Sequence, residues 1–257
     1  MSTYFSIAPF AVKCALLHLL VCMLVVMLAI SMVFFLWYPP YLAPIVGVGK
    51  ILVLLVVVDV VCGPLLTVFL AKPTKSRREL RLDLTLVGAV QVGALVFGLW
   101  SLYGARPVAL AFEVDRFVVV TANQIQPEPL DRTIAHLIRK DDSGLQLVSL
   151  REPKSSIEYL ESLDQSMQGI TPAMRPSWWR PLGEAHQQIE AKAKLLTYLI
   201  NKRPEQAREL QKAARQTGIP VENLRYLPLV SSRSLEWIAL LDMADNIVGR
   251  ANIDGFE

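Results

Sequence analysis

The chain has 257 residues, of which 53% are hydrophobic and 19% are charged, and its formal net charge is +3. The net charge is small and the sequence has no basic patch interleaved with aromatic residues, so a nucleic-acid partner is not indicated. The apolar residues are concentrated before residue 104 and nearly all acidic residues follow it, so the sequence predicts a membrane region, 1–103, and a polar domain, 104–257.

Three long apolar runs occupy the first region, at about 14–37, 51–71 and 84–103. Each is long enough to cross a bilayer, because about 20 apolar residues that rise ~1.5 Å each span a core of ~30 Å. The first run is too long for a signal-peptide core and is not followed by a cleavage pattern. We therefore predict a membrane protein with an N-terminal bundle of three transmembrane helices.

The connector 72–83 sets the predicted orientation of these helices. It carries five basic residues, Lys72, Lys75, Arg77, Arg78 and Arg81. The positive-inside rule places such a loop in the cytoplasm. The opposite side carries only two basic residues, Lys50 and Arg106, against five in this loop. The prediction is a cytoplasmic N-terminus and an extracytoplasmic domain, which is periplasmic if the membrane is a bacterial inner membrane.

The second apolar run contains an acidic residue, Asp59, followed one helical turn later by Gly63 and Pro64. A carboxylate in the bilayer costs at least ~2.5 kcal/mol on insertion scales, so Asp59 should face protein or water. Pro64 should kink the helix near Asp59, and Gly63 should allow close approach of a neighbouring helix. Gln91 of the third run should lie at a similar depth, bridged to Asp59 by water or by Ser31.

Two roles for Asp59 remain open at this point. It could be a hydrogen-bonded acid that locks the bundle or meets a partner's membrane helix, or it could be a proton or ion relay. His18 lies too near the cytoplasmic edge to join it. The absence of a matching basic residue and of an inverted repeat favours the first role over a transporter.

The polar domain reads as α+β, with strands at both ends and helices between them. We predict strands at Val108–Phe112, Arg116–Thr121 and Leu145–Leu150, and helices at Leu130–Arg139, Ser156–Gln168 and Gly183–Lys202, then from Pro204 to Gly218. The final strands are predicted at Tyr226–Ser231, Leu235–Asp242 and Ile247–Ala251.

Two groups in this domain are candidates for contacts. Arg106 and Pro107 follow the third apolar run as a rigid junction. Arg106, Asp115 and Arg116 could form a salt-bridged corner there, but ordinary hairpin and membrane-edge charges are the favoured interpretation, because exposed ion pairs contribute only ~0–1 kcal/mol. Trp178 and Trp179 lie in a loop that looks exposed. They are candidates for the core, for a membrane-surface anchor or for a protein contact.

No motif in the sequence indicates catalysis. There is no phosphate loop, zinc-protease motif or nucleophile elbow, and the three histidines are far apart. The acidic pair Asp141–Asp142 reads as a solvated turn. All three cysteines lie in the apolar region, which leaves the polar domain without a disulfide or a zinc-thiolate site. We expect no enzyme activity, no cofactor and no metal.

Several short motifs follow one another in a fixed order, and together they resemble the bacterial type IV pilin accessory proteins (the TfpX/TfpZ family). The resemblance is strong over residues 45–122 and extends loosely through the last hairpin. Cys62 departs from the aliphatic residue expected before Gly-Pro. The motifs are Val58-Asp59, Gly63-Pro64-Leu65-Leu66-Thr67, Arg81-Leu82-Asp83-Leu84, Gln91, Ala105-Arg106-Pro107-Val108 and Asp115-Arg116-Phe117.

This resemblance implies an inner-membrane protein, encoded with a pilin, that assists the assembly of pilin subunits and affects pilus extension and retraction. The implied partners are the transmembrane helix and the head of the major pilin, with other pilus machinery as a further partner. Asp59 would then meet the pilin helix, and the Trp178–Trp179 pair or a sheet edge would meet the head. The alternative is a small ion-coupled transport or sensing protein that uses Asp59.

Overall fold

The computed structural model describes residues 4–39, 41–72, 74–138, 140 and 144–256, so the predicted turn Asp141–Asp142 lies outside the described residues. The chain forms two compact units, which divide between Ala105 and Arg106. Each unit has its own core and is described by itself.

Long apolar helices make up the first unit. Helix α1, Tyr4–Met32, continues into a π-helical turn at Val33–Trp37, and a short helix α2, Ala43–Val46, follows. The next crossing consists of α3, Val48–Val56, a π-helical segment, Val57–Cys62, and α4, Gly63–Leu70. The last is α5, Arg77–Gly104. Among the described residues, three stretches are long and apolar enough to cross a membrane: Phe10–Trp37, Val48–Leu70 and Arg77–Gly104.

Helix α5 begins seven residues before the predicted start at Leu84, so much of the predicted loop 72–83 is helical. Its start is fixed by a capping box. The Ser76 hydroxyl accepts from the Glu79 backbone N–H, and the Glu79 carboxylate accepts from the Ser76 N–H at 2.9 Å. These bonds satisfy two of the N–H groups that lack a partner at a helix start, and they hold the basic and polar turn in helical form.

Aromatic residues at the other end of this unit lie partly inside it. Tyr38 is buried, and its hydroxyl donates to the Leu102 carbonyl at 2.8 Å. Trp37 and Tyr103 meet edge to face with ring centroids 5.2 Å apart. A small apolar core of Val33, Tyr38, Ala43, Val48, Leu52 and Leu102 closes this end of the bundle.

The second unit is built on a mixed sheet of eight strands. They are β1 Pro107–Glu113, β2 Arg116–Thr121, β3 Gln146–Leu150, β4 Trp179–Pro181, β5 Lys194–Leu195, β6 Arg225–Val230, β7 Trp237–Leu241 and β8 Ile247–Ala251. The spatial order is β4-β3-β1-β2-β6-β7-β8, and β5 pairs with β6. The hairpins β1–β2, β6–β7 and β7–β8 are antiparallel, whereas β2–β6 and β1–β3 are parallel.

Helices of this unit are α6 Arg132–Ala135, α7 Ser156–Met167, α8 His186–Lys192, α9 Leu196–Lys202 and α10 Ala207–Thr217. The predicted single helix Gly183–Lys202 is wrong, because Lys194 and Leu195 leave the helix to pair with Tyr226 and Arg225 of β6. The backbone groups at the edge of the buried strand β6 need hydrogen-bond partners, and this pairing interrupts the helix that the apolar periodicity predicts. Leu196, Leu199, Leu210 and Tyr226 lie in the main core, between α9, α10 and the sheet.

Candidate functional site

Buried polar side chains are the exception in the apolar first unit. Among its described residues, Asp59, Thr67 and Gln91 are buried, on the second and third crossings. Asp59 lies within the π-helical segment Val57–Cys62. In a membrane environment such groups are either satisfied inside the bundle or mark a functional position, so this cluster is the candidate site of the unit.

The sequence accounts for the π-helical segment. Pro64 has no N–H, and its ring would clash with the Val60 carbonyl in a regular helix. Widening the preceding turn to i→i+5 bonding relieves that clash. In a π-helix the donor for the Asp59 carbonyl would be residue 64, which is this proline. The Asp59 carbonyl is therefore left for a side chain to satisfy.

Gln91 of α5 supplies the missing donor. Its Nε2 donates to the Asp59 backbone carbonyl at 3.0 Å and lies 3.5 Å from Cys22 Sγ of α1. One amide thus links all three crossings at a single level, and interhelical bonds of this kind hold membrane helices together. The sequence placed Asp59 and Gln91 at a similar depth, but it named Ser31 rather than Cys22 as the contributor from the first helix.

Gly63 makes room for this amide. A Cβ at Gly63 would lie 2.2 Å from Gln91 Nε2 and 2.7 Å from Gln91 Cδ. Any larger residue at this position would have to displace the Gln91 side chain. The two residues of the pair therefore have complementary roles. Pro64 leaves the Asp59 carbonyl without a backbone donor, and Gly63 leaves space for the Gln91 side chain that donates to it.

Two oxygens of the cluster have no hydrogen-bond partner within the described part of the chain, Asp59 Oδ1 and Gln91 Oε1. Both are buried acceptors, so the cluster retains unused hydrogen-bonding capacity. The Asp59 carboxyl side chain itself is buried inside the unit, which argues against direct contact with a partner's membrane helix.

A second polar contact lies two turns along the same helix. Thr67 Oγ1 donates to the Gly63 carbonyl at 3.0 Å, and His18 Nδ1 lies 2.5 Å from the same hydroxyl. The eight residues between Asp59 and Thr67 rise roughly 12 Å, so His18 stays away from Asp59. Near the start of α5, Asp83 forms an ion pair with Lys75.

The salt-bridged corner of Arg106, Asp115 and Arg116, which was the less favoured interpretation of the sequence, does not form. Arg116 Nε lies 2.7 Å from Asp115 Oδ1, and the guanidinium covers the Phe256 ring at 4.6 Å. Arg106 lies instead at the other end of β1, which begins at Pro107. The seven residues of β1 extend roughly 23 Å, which is too far for a salt bridge.

The turn between β1 and β2 is unusual in its backbone. Val114 has φ 61°, a left-handed conformation that strains a β-branched residue. Beside it, burial raises the pKa of the Glu113 carboxyl, although the nearby Arg116 and the Ala173 backbone N–H act against this. The turn therefore combines strain with a partly desolvated acid.

Of the three roles that the sequence left open for Trp178 and Trp179, the structure agrees with the core, because both side chains are buried. Trp179 Nε1 donates to the Ala173 carbonyl at 2.9 Å and its ring lies in a core cluster with Ala109 and Val148. The Trp178 ring is covered by the guanidinium groups of Arg151 and Arg175, at 4.4 and 5.1 Å. Both rings are structural, and neither is available as a surface contact.

Sequence reasoning missed a charged cluster at the β7–β8 hairpin. Asp245, with φ 63°, is buried between Arg225 Nη2 at 2.5 Å and His186 Nδ1 at 2.7 Å. Arg225 also donates to the carbonyls of Asp242 and Met243. The partners of Asp245, Arg225 and His186, are distant from it in sequence, so the sequence alone did not bring the three together. The cluster ties the hairpin to β6 and α8.

In the part of the chain that the structure describes, no group of three His, Cys, Asp or Glu side chains lies close enough together to hold a metal ion. The described chain thus combines three membrane-length helices, which are joined by a polar cluster, with a separate mixed-sheet unit.

Comparison with known proteins shows which class of protein this chain resembles. Over 96% of its length the chain is 33% identical to the fimbrial assembly protein, serogroup I, of Dichelobacter nodosus, of which it covers 97%. It is 32% identical to the serogroup E1 protein of the same organism over the same shares. The serogroups C1 and C2 protein is 37% identical over 45% of the chain and 88% of that protein.

The chain belongs to this family of fimbrial assembly proteins. No family model matches the chain, and no solved structure matches it.

Proposed function

We propose that this protein is a non-catalytic, chaperone-like accessory protein of the bacterial inner membrane that assists type IV pilin subunits during pilus assembly and affects pilus dynamics. The observation that carries the proposal is the similarity to fimbrial assembly proteins along nearly the whole chain. It covers both units, so the role is proposed for the complete arrangement of helices and sheet.

The membrane arrangement is part of this proposal. Three apolar helices support a multi-pass protein, and the basic stretch from Lys72 to Arg81 favours a cytoplasmic connector. The N-terminus would then be cytoplasmic and the unit from Arg106 onward periplasmic. A pilin that is anchored in the same membrane by its apolar helix, with its head on the periplasmic side, would meet both units of this protein.

Asp59 has a structural part in this account. Because its carboxyl is buried and its carbonyl is held by Gln91, it joins the helices that the pilin helix would pack against. The apolar outer surfaces of the helices would make the contact in the membrane. The periplasmic unit would meet the pilin head through its surface, with Trp178 and Trp179 supporting that unit from inside.

The test is deletion of the gene, followed by counting of surface fimbriae by electron microscopy and measurement of total pilin by immunoblot. The expected result is a loss of fimbriae with pilin still made, restored by the intact gene. Crosslinkers placed on the unit from Arg106 onward should capture pilin. Normal fimbriation in the deletion strain would refute the proposal.

A relay role for Asp59 is the second candidate, and the unpartnered Asp59 Oδ1 is the observation that favours it. The two candidates differ in the response to Asp59→Asn. A relay requires the ionisable group and would lose any pH-dependent transport, whereas the amide keeps the backbone carbonyl that Gln91 binds. Fimbriation that survives Asp59→Asn supports the structural role.

A further inference from the structure

Helix α7, Ser156–Met167, turns its apolar side toward solvent. The side chains of Ile157, Leu160, Leu163 and Met167 are 69%, 61%, 49% and 79% exposed. The buried side chain on this helix is a polar one, Ser162. We call the four exposed residues the outer face of α7.

In most surface helices the apolar side faces the core, whereas in α7 it faces solvent, and helical geometry shows how. At about 100° per residue, the four apolar residues fall on one side, and Ser162 falls on the opposite side. The N-terminus of the helix is tied to the domain by Glu158, whose carboxylate binds the Arg151 guanidinium at 2.6 and 3.0 Å. The helix is thus held with its polar side inward, and contiguous exposed apolar surface of this kind marks an interaction site.

The charges around the outer face select the kind of occupant. Glu161 and Asp164 border it and are exposed, and the helix contains no lysine or arginine. Helices that lie on lipid surfaces carry basic residues on the polar side, and anionic headgroups would repel this one. The face fits instead an apolar groove with a basic rim on a protein.

This chain carries a partly apolar groove with an excess of basic residues at the far edge of its sheet. The α10–β8 groove lies between α10 and the last strand, with a volume of about 690 Å³. Its lining combines apolar residues, among them Ala213, Trp237 and Val248, with a larger number of polar ones, of which Arg208, Lys212 and Arg250 are basic and Glu209 is acidic. We call the three basic residues the basic rim. Clefts of about 300–1,000 Å³ hold ligands of drug size, so this groove accommodates several apolar side chains.

The two surfaces are too far apart to meet within one molecule. Helix α7 follows β3 directly, whereas the groove is formed by β8, and five inter-strand spacings separate these strands. At about 4.8 Å per spacing the separation is roughly 24 Å. We propose that the outer face of α7 docks into the α10–β8 groove of a second copy of this chain, with Glu161 and Asp164 facing the basic rim.

This contact would be head-to-tail, because each copy offers a helix and a groove that are different surfaces. Such interfaces close into rings or continue as open chains. The inference does not depend on the role in pilus assembly, because it concerns association of the protein with itself.

The test is sedimentation of the purified full chain in detergent over a range of concentrations. The intact protein should associate, and Leu160→Ser with Leu163→Ser should raise the dissociation constant about tenfold or more, as for apolar anchors of interfaces. Leu137→Ser is the matched control, since Leu137 is 51% exposed and belongs to neither surface. Circular dichroism and thermal unfolding check that each variant is folded.

Charge exchange tests the groove directly. Lys212→Glu and Asp164→Lys should each weaken association, and the two together should restore part of it, while added salt should weaken the intact protein's association. A monomer at every concentration, or association that the α7 variants leave unchanged, would overturn the proposal. Loss of binding to anionic vesicles in those variants, without loss of association, would assign the face to lipid instead.

Discussion

At the scale of single residues, the pair Gly63 and Gln91 is the most specific contact of the membrane unit. We predict that Gly63→Ala destabilises the protein by about 1–3 kcal/mol, because the new methyl group would overlap the Gln91 amide and force it from the Asp59 carbonyl. Unfolding of the purified chain in detergent, by heat or by added denaturing detergent, measures the effect.

Gly88→Ala provides the control for this substitution. Gly88 lies on α5, and a Cβ there has no atom within 4 Å. The same chemical change should therefore leave stability equal or slightly raised, as expected for glycine to alanine in a helix. Equal effects of the two substitutions would contradict the packing that we describe around Gln91.

Glu158 gives a prediction on pH. The Arg151 side chain and the Lys154 backbone N–H lower the pKa of Glu158 from its ordinary 4.5 to about 2. A carboxyl with a lowered pKa in the folded state contributes stability above its unfolded pKa and loses it as pH falls toward the folded value. Glu158→Gln should therefore lower the melting temperature at pH 7.

The difference between wild type and Glu158→Gln should shrink below about pH 4.5 and continue to fall toward pH 2. Glu161→Gln makes the same charge change on the same helix, away from Arg151, and serves as the control. Melting curves of both variants between pH 7 and pH 3 supply the measurement. A pH-independent deficit in Glu158→Gln would mean that the ion pair is not its cause.

At the scale of elements, the π-helical segment Val57–Cys62 is a consequence of Pro64, and this makes it testable. In Pro64→Ala the N–H of residue 64 becomes available to the Asp59 carbonyl, so Gln91 should matter less. We predict that Gln91→Ala costs less stability in the Pro64→Ala background than in the wild type, by about 1 kcal/mol, the net contribution of one hydrogen bond.

This double-mutant cycle is measured by the same detergent unfolding. Additive effects of Pro64→Ala and Gln91→Ala would show that the side-chain amide and the missing N–H are not coupled. Infrared or crosslinking measurements on the Val57–Cys62 turn would report whether its widened form persists without the proline.

Elements that follow from local chemistry were predictable from the sequence. The β1–β2 hairpin, the helix capped at Ser155 and the strand Ile247–Ala251 agree with the predicted spans to within two residues. The π-helical segment was foreseen only as a kink, because its form depends on which bond pattern relieves the proline. The break at Lys194 was not predictable, since it requires the distant strand β6.

Burial of Trp178 shows a second limit of sequence reasoning. The sequence left core, membrane anchor and protein contact open for the two adjacent tryptophans. It could not show that Arg151 and Arg175 cover the Trp178 ring, because both come from other parts of the chain. For the candidate site, the depth of Asp59 and Gln91 followed from helical rise. Which of their atoms bond did not, because it depends on side-chain geometry between helices.

At the scale of the whole molecule, the separation of apolar and acidic residues along the chain corresponds to the division into two units between Ala105 and Arg106. The first unit exposes large apolar side chains along its helices, including Leu17, Leu54 and Phe97. In water, this exposed apolar surface would promote aggregation, whereas lipid tails in a bilayer would cover it. The exterior of this unit is therefore suited to lipid.

Topology is the property on which the proposed role depends, because a pilin head lies outside the cytoplasm. We predict that alkaline phosphatase fused after Ile253 is active and that green fluorescent protein fused there is dark. The same reporters inserted after Lys75 should behave in the opposite way. The physical reason is the basic charge of Lys72, Lys75 and Arg77, which resists translocation.

Removal of the basic charges strengthens this test. Replacing Lys72, Lys75, Arg77, Arg78 and Arg81 by glutamine removes the asymmetry that orients the three helices, and a mixture of orientations is expected. Replacing Lys50 and Arg106 by glutamine is the matched control and should leave orientation unchanged. A phosphatase that is inactive after Ile253 in the intact protein would place the sheet unit inside the cell, where it would not meet a pilin head.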